Sequence, residues 1–477
     1  MRNIILCSAF VSVIAVCAAR GSNPEKQLVA HEWGTFTSLQ DEQGKAVGGI
    51  NTDDEPVPNF VHRISVHILA PQARTATLPN INLIAGKGMP ISRCDEEITM
   101  RLETPVIYFY PPKGWKAQAV DVHVAFPGGW LSEFYPDAAP KTPGFDPQKQ
   151  VVGHLRRDTT GELAWTGLEV GGPGATAAAN REPVTQEKVW LAPRAVDSAV
   201  VSTPQGESEK FLFYRGVANA DAPLRITRND GGCLEVRNNE CMQASSPDGD
   251  LPIHAAWLVD VRSDGACAFK EVGAIAPGAG VRATMPGGFD AKDYSPDNMA
   301  GLRAQMKTAL VKEGLFADEA DALLNTWEVS YFQNPGLRFF YTCPRQQIDA
   351  ALPLTISAQC SVTRVMLGRI EVVTPGQRAL LKEIATAMAT GITADGLKKQ
   401  NQDYIDLGRF RNALVLDEEQ RRPSAGLEAF INRNNLGAYK IEDPAPAQAG
   451  LFGVALLAAA GVAAIGKIGK RVAMKQG

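Results

Sequence analysis

Long apolar runs are missing from this 477-residue chain except at its two ends, which excludes a polytopic membrane protein. A basic excess is missing too. The formal charge is −4, so nucleic acid is not an expected partner. Histidine is scarce, at 6 residues, and the HExxH spacing of helical zinc proteases does not occur. There is no CxxC, so a zinc ribbon or thioredoxin-type site has no support. There is no GxSxG elbow, no SxxK and no Walker loop. Gly171-Gly172-Pro173-Gly174 has glycines but no Lys-Ser/Thr after them, and reads as a flexible turn. What is present is an ordinary globular mixture, 45% apolar and 21% charged, long enough for roughly two or three folded units.

The ends carry targeting signals. Arg2, the apolar run Ile4 to Ala19 and the small residues Cys17, Ala18 and Ala19 match a secretory signal peptide. At the other end Gly450 to Gly466 is uncharged and apolar or small. As a helix it spans roughly 26 Å at ~1.5 Å per residue, a little under a ~30 Å hydrocarbon core. Lys467 can snorkel, which lets Ile468 extend the span. Lys467, Lys470, Arg471 and Lys475 follow without an acid, as on a cytoplasmic flank. The expected topology is a body outside, one C-terminal helix as membrane anchor, and a short tail inside. Both ends are basic, so the body between them is more acidic than the whole chain, at about −10.

The expected fold class is α+β, mainly β. It combines an antiparallel β-sandwich-like front region, a smaller α+β rear region and a C-terminal transmembrane helix. The divisions are a signal peptide (1–20), a β-rich ectodomain (21–290), an α+β region (291–440), a linker (441–448), the transmembrane helix (449–468) and a basic cytoplasmic tail (469–477). Val120, Val122, Val124 and Phe126 alternate with more polar residues, giving a half-buried strand. Met100, Leu102, Thr104, Val106, Tyr108 and Tyr110 share one parity of a long strand, and Pro105 predicts an edge or a bulge there. Asn229-Asp230-Gly231-Gly232 predicts a hairpin. Later the period changes. Met299, Leu302, Met306 and Leu310 predict a helix, Ala317–Phe332 another, and Thr374-Pro375 caps a third. Further helices are expected near Asn401–Glu418 and Ala425–Asn434.

Three stretches, His31-Glu32-Trp33-Gly34-Thr35-Phe36-Thr37-Ser38, Leu102 to Tyr110 and Leu367 to Pro375, resemble an uncharacterised family of exported bacterial proteins. Members carry an HEWGTFTS-like opening soon after the signal peptide. The resemblance spans roughly residues 28–376. It implies an address, the bacterial cell envelope, and transfers no catalytic residue.

Six cysteines remain in the body, an even number in an exported chain, which favours disulfides. Six cysteines allow fifteen pairings, which the sequence leaves open; local pairing would give Cys233–Cys241 and Cys343–Cys360, leaving Cys94 for Cys267. A divalent metal site is imaginable from His31, Glu32, His67 and His123, converging from different strands. Adjacent residues on a strand face opposite sides, so His31 and Glu32 are not expected to share it. Asp53-Asp54-Glu55 and Asp95-Glu96-Glu97 read as solvated loops, or at most weak calcium ligands. Trp33, Tyr108, Tyr110, Trp130, Glu133 and Tyr135 offer an aromatic platform for a glycan or peptide, against the plainer reading that they fill a β core. The functional expectation is a membrane-anchored envelope protein that binds a ligand or organises structure. A metal-dependent extracytoplasmic hydrolase is the alternative.

Overall fold

In the computed structural model Leu28–Gln40 forms strand β1, and almost every side chain in it is buried. A strand covered on one face alternates, whereas one covered on both is buried throughout. The neighbours explain the burial. β1 lies inside a nine-stranded sheet with β2 (His62–Arg63), β3 (Met100–Tyr110), β4 (Gly129–Tyr135), β5 (Leu212–Ala218), β6 (Ala256–Val261), β7 (Cys267–Glu271), β8 (Gly336–Thr342) and β9 (Cys360–Val372). The spatial order is β7-β6-β8-β9-β1-β3-β5-β4-β2. All pairings are antiparallel except β1 with β9, which run parallel from Leu28 opposite Cys360 to Gln40 opposite Val372. Residues 27–65, 68–71, 94–146, 151–171, 183–239, 251–278, 280–390, 394–434 and 436 are described by the structure.

One face of this sheet shares an apolar core with a six-stranded sheet built around Gln118–Pro127 and Thr160–Val170, and with a three-stranded sheet. The opposite face is covered by α1 (Lys188–Arg194), α2 (Asn298–Lys312), α3 (Ala317–Thr326) and α4 (Glu328–Phe332). After β8 comes the short helix α5 (Arg345–Ala351). A third cluster joins Leu39 and Val217 to α6 (Pro375–Thr390), α7 (Ala394–Asp406), α8 (Arg411–Arg421) and α9 (Ala425–Asn434). The described fold is therefore α+β, with strands predominating in several sheets.

Local signals explain most elements. Leu302, Met306 and Leu310 are the buried stripe of α2. The Thr374 hydroxyl accepts the Gln377 N–H at 3.2 Å and caps α6. Leu224–Arg228 and Leu234–Asn238 pair across the Asn-Asp-Gly-Gly turn, where Gly232 has φ +79°. Two expected helices are interrupted. Ala317–Phe332 breaks at Trp327, and Gly408 with φ +89° separates α7 from α8.

Pro105 marks a bulge on an interior strand, not an edge. Trp33 pairs with Val106 and Thr35 with Glu103, so β3 carries one extra residue at Thr104–Pro105, and Thr104 takes φ +41°. An extra residue reverses facing beyond it. Leu102 and Ile107 therefore share one core, and Val106 and Tyr108 the other. The single-parity expectation fails at this point.

Strands from both sides of the boundary expected at residue 290 belong to the large sheet. β8 and β9 come from the expected rear region and stand between β6 and β1. Among the described residues no helix is long and apolar enough to cross a membrane. The expected signal peptide and the expected membrane helix at 449–468 lie outside the described residues.

Candidate functional site

The covered helix-side face of the sheet carries the densest chemistry. Arg101 and Glu103 on β3, Glu133 on β4, Arg215 on β5, Arg338 on β8, and Arg369 and Glu371 on β9 are all buried. They face it because the bulge puts Arg101 and Glu103 on the side of Val106. Asp53, Asp54 and Glu55 from the loop after β1, and Arg409 from the turn between α7 and α8, complete the band.

Contacts are specific. Arg409 ion-pairs with Asp54 at 2.9 Å and Glu103 at 2.7 Å. Thr37 donates to Glu103 at 3.0 Å, and Asn334 to Asp54 at 2.8 Å. Arg215 binds Glu133, which also accepts Arg63 at 2.6 Å. Arg369 binds Glu371 and donates to the Ser330 hydroxyl at 2.9 Å. Arg338 donates to the carbonyls of Tyr331 at 2.7 Å and Asn334 at 2.6 Å.

Burial alone would raise the Asp54 and Glu103 carboxyls. Arg409 and Arg101 instead hold both below the usual carboxylate range. Glu133 is held down by Arg215 against the same burial penalty. Burial lowers Arg338 to about 10 despite Glu371. Glu55 goes the other way. Burial, with repulsion from Asp54, pushes it up to about 8 in spite of Arg409. Its Oε1 accepts the backbone N–H of Val329 at 3.1 Å and Ser330 at 3.3 Å. Its Oε2 is buried with no hydrogen-bond partner among the described residues.

Three clefts share lining residues with one another, and Glu55 of this band lines the first. The first, about 350 Å³, is lined by Glu55, Lys188, Asn325, Glu328 and Gln333. The second, about 440 Å³, shares Glu328 and Gln333 and adds Arg303, Phe332 and Asp264. The third, about 470 Å³, shares Ser263 and Asp264 and continues to Gln377 and Asp406.

The three expected metal ligands among the described residues, His31, Glu32 and His123, do not meet. His31 turns to the helix side, 2.8 Å from Glu319, whose other oxygen accepts Tyr110 at 2.7 Å. The Phe316 ring covers this pair at 4.6 Å from His31. Glu32 turns to the opposite face, held by Tyr214 and Arg364. His123 sits on the second sheet, 3.0 Å from Glu162. His67 lies outside the described residues. Among the described residues no three His, Cys, Asp or Glu side chains are grouped to hold a metal.

Of the six residues expected to form an aromatic platform, Tyr110 is half-buried and donates to Glu319, and the others are buried. Trp33, Tyr108, Trp130 and Tyr135 are at most 3% exposed, and Glu133 is an ion-pair partner. Two disulfides are corrected as well. Among the described residues Cys94, Cys233, Cys267, Cys343 and Cys360 form no disulfide with one another. The Cys343 N–H bonds to the Met366 carbonyl, six residues along β9 from Cys360. At ~3.3 Å per residue that leaves roughly 20 Å, far beyond disulfide reach. Cys94 packs beside Ala413 at Gly49, while Cys267 begins edge strand β7. Cys241 lies outside the described residues, so the Cys233 pairing is not described.

The acidic loop Asp53-Asp54-Glu55 is where sequence reasoning missed most. It reads as solvated, yet Asp54 and Glu55 are buried. A clue was available in Arg101, Arg215, Arg369 and Arg409, cations lying in or beside apolar runs.

No family model matches the chain, and no curated protein does. Among solved structures, a chain described as the yeast delta-COP-I mu-homology domain shows 8% identity. That comparison covers 73% of this chain and 96% of the other, at a TM-score of 0.21, too low to bear on fold or function.

Proposed function

We propose that this chain is a binding protein of the bacterial cell envelope, with its body outside and the segment 449–468 as its membrane anchor. On this reading it binds an extended polar chain, a glycan before a peptide, along the groove from Glu55 to Asp406. The observation that carries the binding role is that the three clefts are neighbours, sharing Glu328 and Gln333 at one join and Ser263 and Asp264 at the other. A single small ligand needs one enclosed pocket, whereas a polymer needs an open run of subsites.

The address rests on the signal-like and anchor-like ends, because the described thiols lend it no disulfide. Sheet-on-sheet packing at one face agrees with a sandwich-like front region. The hydrolase alternative loses ground because His31, Glu32 and His123 are each engaged in a different place.

Two measurements test the proposal. Full-length protein expressed in a bacterium should partition with membranes, and a chain ending at residue 448 should be released into the soluble extracytoplasmic fraction. Cytoplasmic recovery of both would refute the address. Gln333→Ala should weaken retention on immobilised envelope glycans several-fold, and unchanged retention would refute the groove.

A further inference from the structure

The second cleft, at about 440 Å³, falls within the roughly 300–1,000 Å³ of small-molecule sites. Asp264 lines it from the turn between β6 and β7, Met299 and Arg303 from α2, and Glu328 and Phe332 from α4. Arg303 is held in place. Its guanidinium lies over the Phe332 ring at 4.9 Å, and it donates to the Leu324 carbonyl at 3.3 Å and the Asn325 side chain at 2.5 Å. A guanidinium has more N–H donors than those two bonds use. Glu328 is exposed, and it makes no hydrogen bond or ion pair through its side chain among the described residues. It acts on Arg303 only through space. One carboxylate oxygen of Asp264 accepts the Ala266 N–H at 2.9 Å, and the other has no partner among the described residues. The cleft thus presents one cation and two carboxylates that do not pair with one another, beside an apolar wall of Met299 and Phe332. An uncharged ligand would take water from these groups and return no counter-charge. A phosphate would meet two carboxylates, and a simple cation would meet Arg303.

We propose that the second cleft is a subsite for a zwitterionic amino-acid head group, one carbon bearing both an ammonium and a carboxylate. The carboxylate takes the remaining donors of Arg303, a pairing that the planar guanidinium favours. The ammonium goes to Glu328 and Asp264. The aliphatic stem of the side chain lies against Met299 and Phe332. Such a ligand alone answers every charge that lines the cleft. The inference deepens the groove reading and rests on it at one point: the amino acid is a branch on the bound glycan, joined through its side chain, which leaves both charges free. The cleft itself is open to test with the amino acid alone.

The test is calorimetric titration of full-length protein in detergent at neutral pH with norleucine of either hand, N-acetylnorleucine and norleucinamide. Wild type should bind norleucine, and blocking either ligand charge should weaken binding about tenfold. The double variant Asp264→Asn, Glu328→Gln keeps the shape of both side chains and the acceptor for Ala266. It should bind norleucine and N-acetylnorleucine alike and still prefer both to norleucinamide. Wild type that binds no norleucine at millimolar concentration, or binds the three compounds alike, overturns the subsite. The groove then stands if plain envelope glycans are still retained. A folded double variant that still prefers norleucine to N-acetylnorleucine overturns the role of Glu328 and Asp264. An oligosaccharide carrying the amino acid through its side chain should bind more tightly than either part alone, and binding no tighter than the free amino acid overturns the branch. Norleucine binding without glycan retention overturns the groove and leaves the head-group subsite standing.

Discussion

Glu32 shows how one residue can look functional and be structural. It is fully buried, takes hydrogen bonds from Tyr214 and Arg364, and joins β1 to β5 and β9. Removing one member of a buried pair strands the other charge, which costs about 3–5 kcal/mol. Glu32→Ala is expected to lose that much in urea unfolding. A loss below ~1 kcal/mol would mean that Arg364 finds water or another acceptor. Glu55 gives a prediction of the opposite kind. Its carboxyl titrates near 8 when folded, against an ordinary value of 4.5. Between those values the folded state holds more protons than the unfolded one, so stability falls as pH rises through this window. Glu55→Gln has no proton to lose. Its stability relative to wild type should rise between pH 5 and pH 9 by on the order of 3 kcal/mol. Urea unfolding at pH 5, 7 and 9 measures this, and a difference that stays flat would show that Glu55 is not buried as a neutral acid.

At the scale of the element, the bulge in β3 matters most. It lets a strand with Arg101 and Glu103 at one end and Tyr108 at the other keep polar and aromatic side chains on the same face. Thr104 bears the local cost, with φ +41° and a buried hydroxyl lacking a hydrogen-bond partner among the described residues. Thr104→Gly relieves both at the expense of some unfolded-state entropy. The expected result is a gain of about 1 kcal/mol, read as a raised urea midpoint with an unchanged slope. A loss would mean that the threonine methyl packs better than the backbone strain suggests. Gly368 is the counterpart on β9. A Cβ there would collide with the Tyr341 ring, so the glycine in the Leu367-Gly368-Arg369 stretch serves packing between neighbouring strands.

For the whole molecule, the state of the cysteines is the most direct check. Burial raises Cys94 to about 12, and Cys267 and Cys360 to about 11. Cys343 is raised as well. A thiolate is the reactive form, so these four should resist alkylation in the native protein at pH 8. All four should then be alkylated once the chain is unfolded without reductant. Mass spectrometry of the alkylated chain reads both stages. Any of the four found blocked only under non-reducing conditions would restore a disulfide framework.

Local pattern was enough for the strand-rich α+β class, the Val120–Phe126 strand, the Asn229–Gly232 turn, the α2 stripe and the cap of α6. These depend on periodicity, turn chemistry and capping within a few residues. It was also enough to put His31 and Glu32 on opposite faces, because strand geometry requires it. Pairing decided the rest. Only the tertiary structure puts β9 parallel to β1, 332 residues away at the Glu32–Arg364 contact. That arrangement merges the expected front and rear regions into one sheet and makes Trp33 and Tyr108 core residues. Burial of Asp54 and Glu55 has the same origin. An acidic triplet reads as a solvated loop until Arg409, 355 residues further on, is seen to lie against Asp54. The physical reason is that a side chain's charge state and exposure belong to its surroundings, and here those surroundings come from distant parts of the chain.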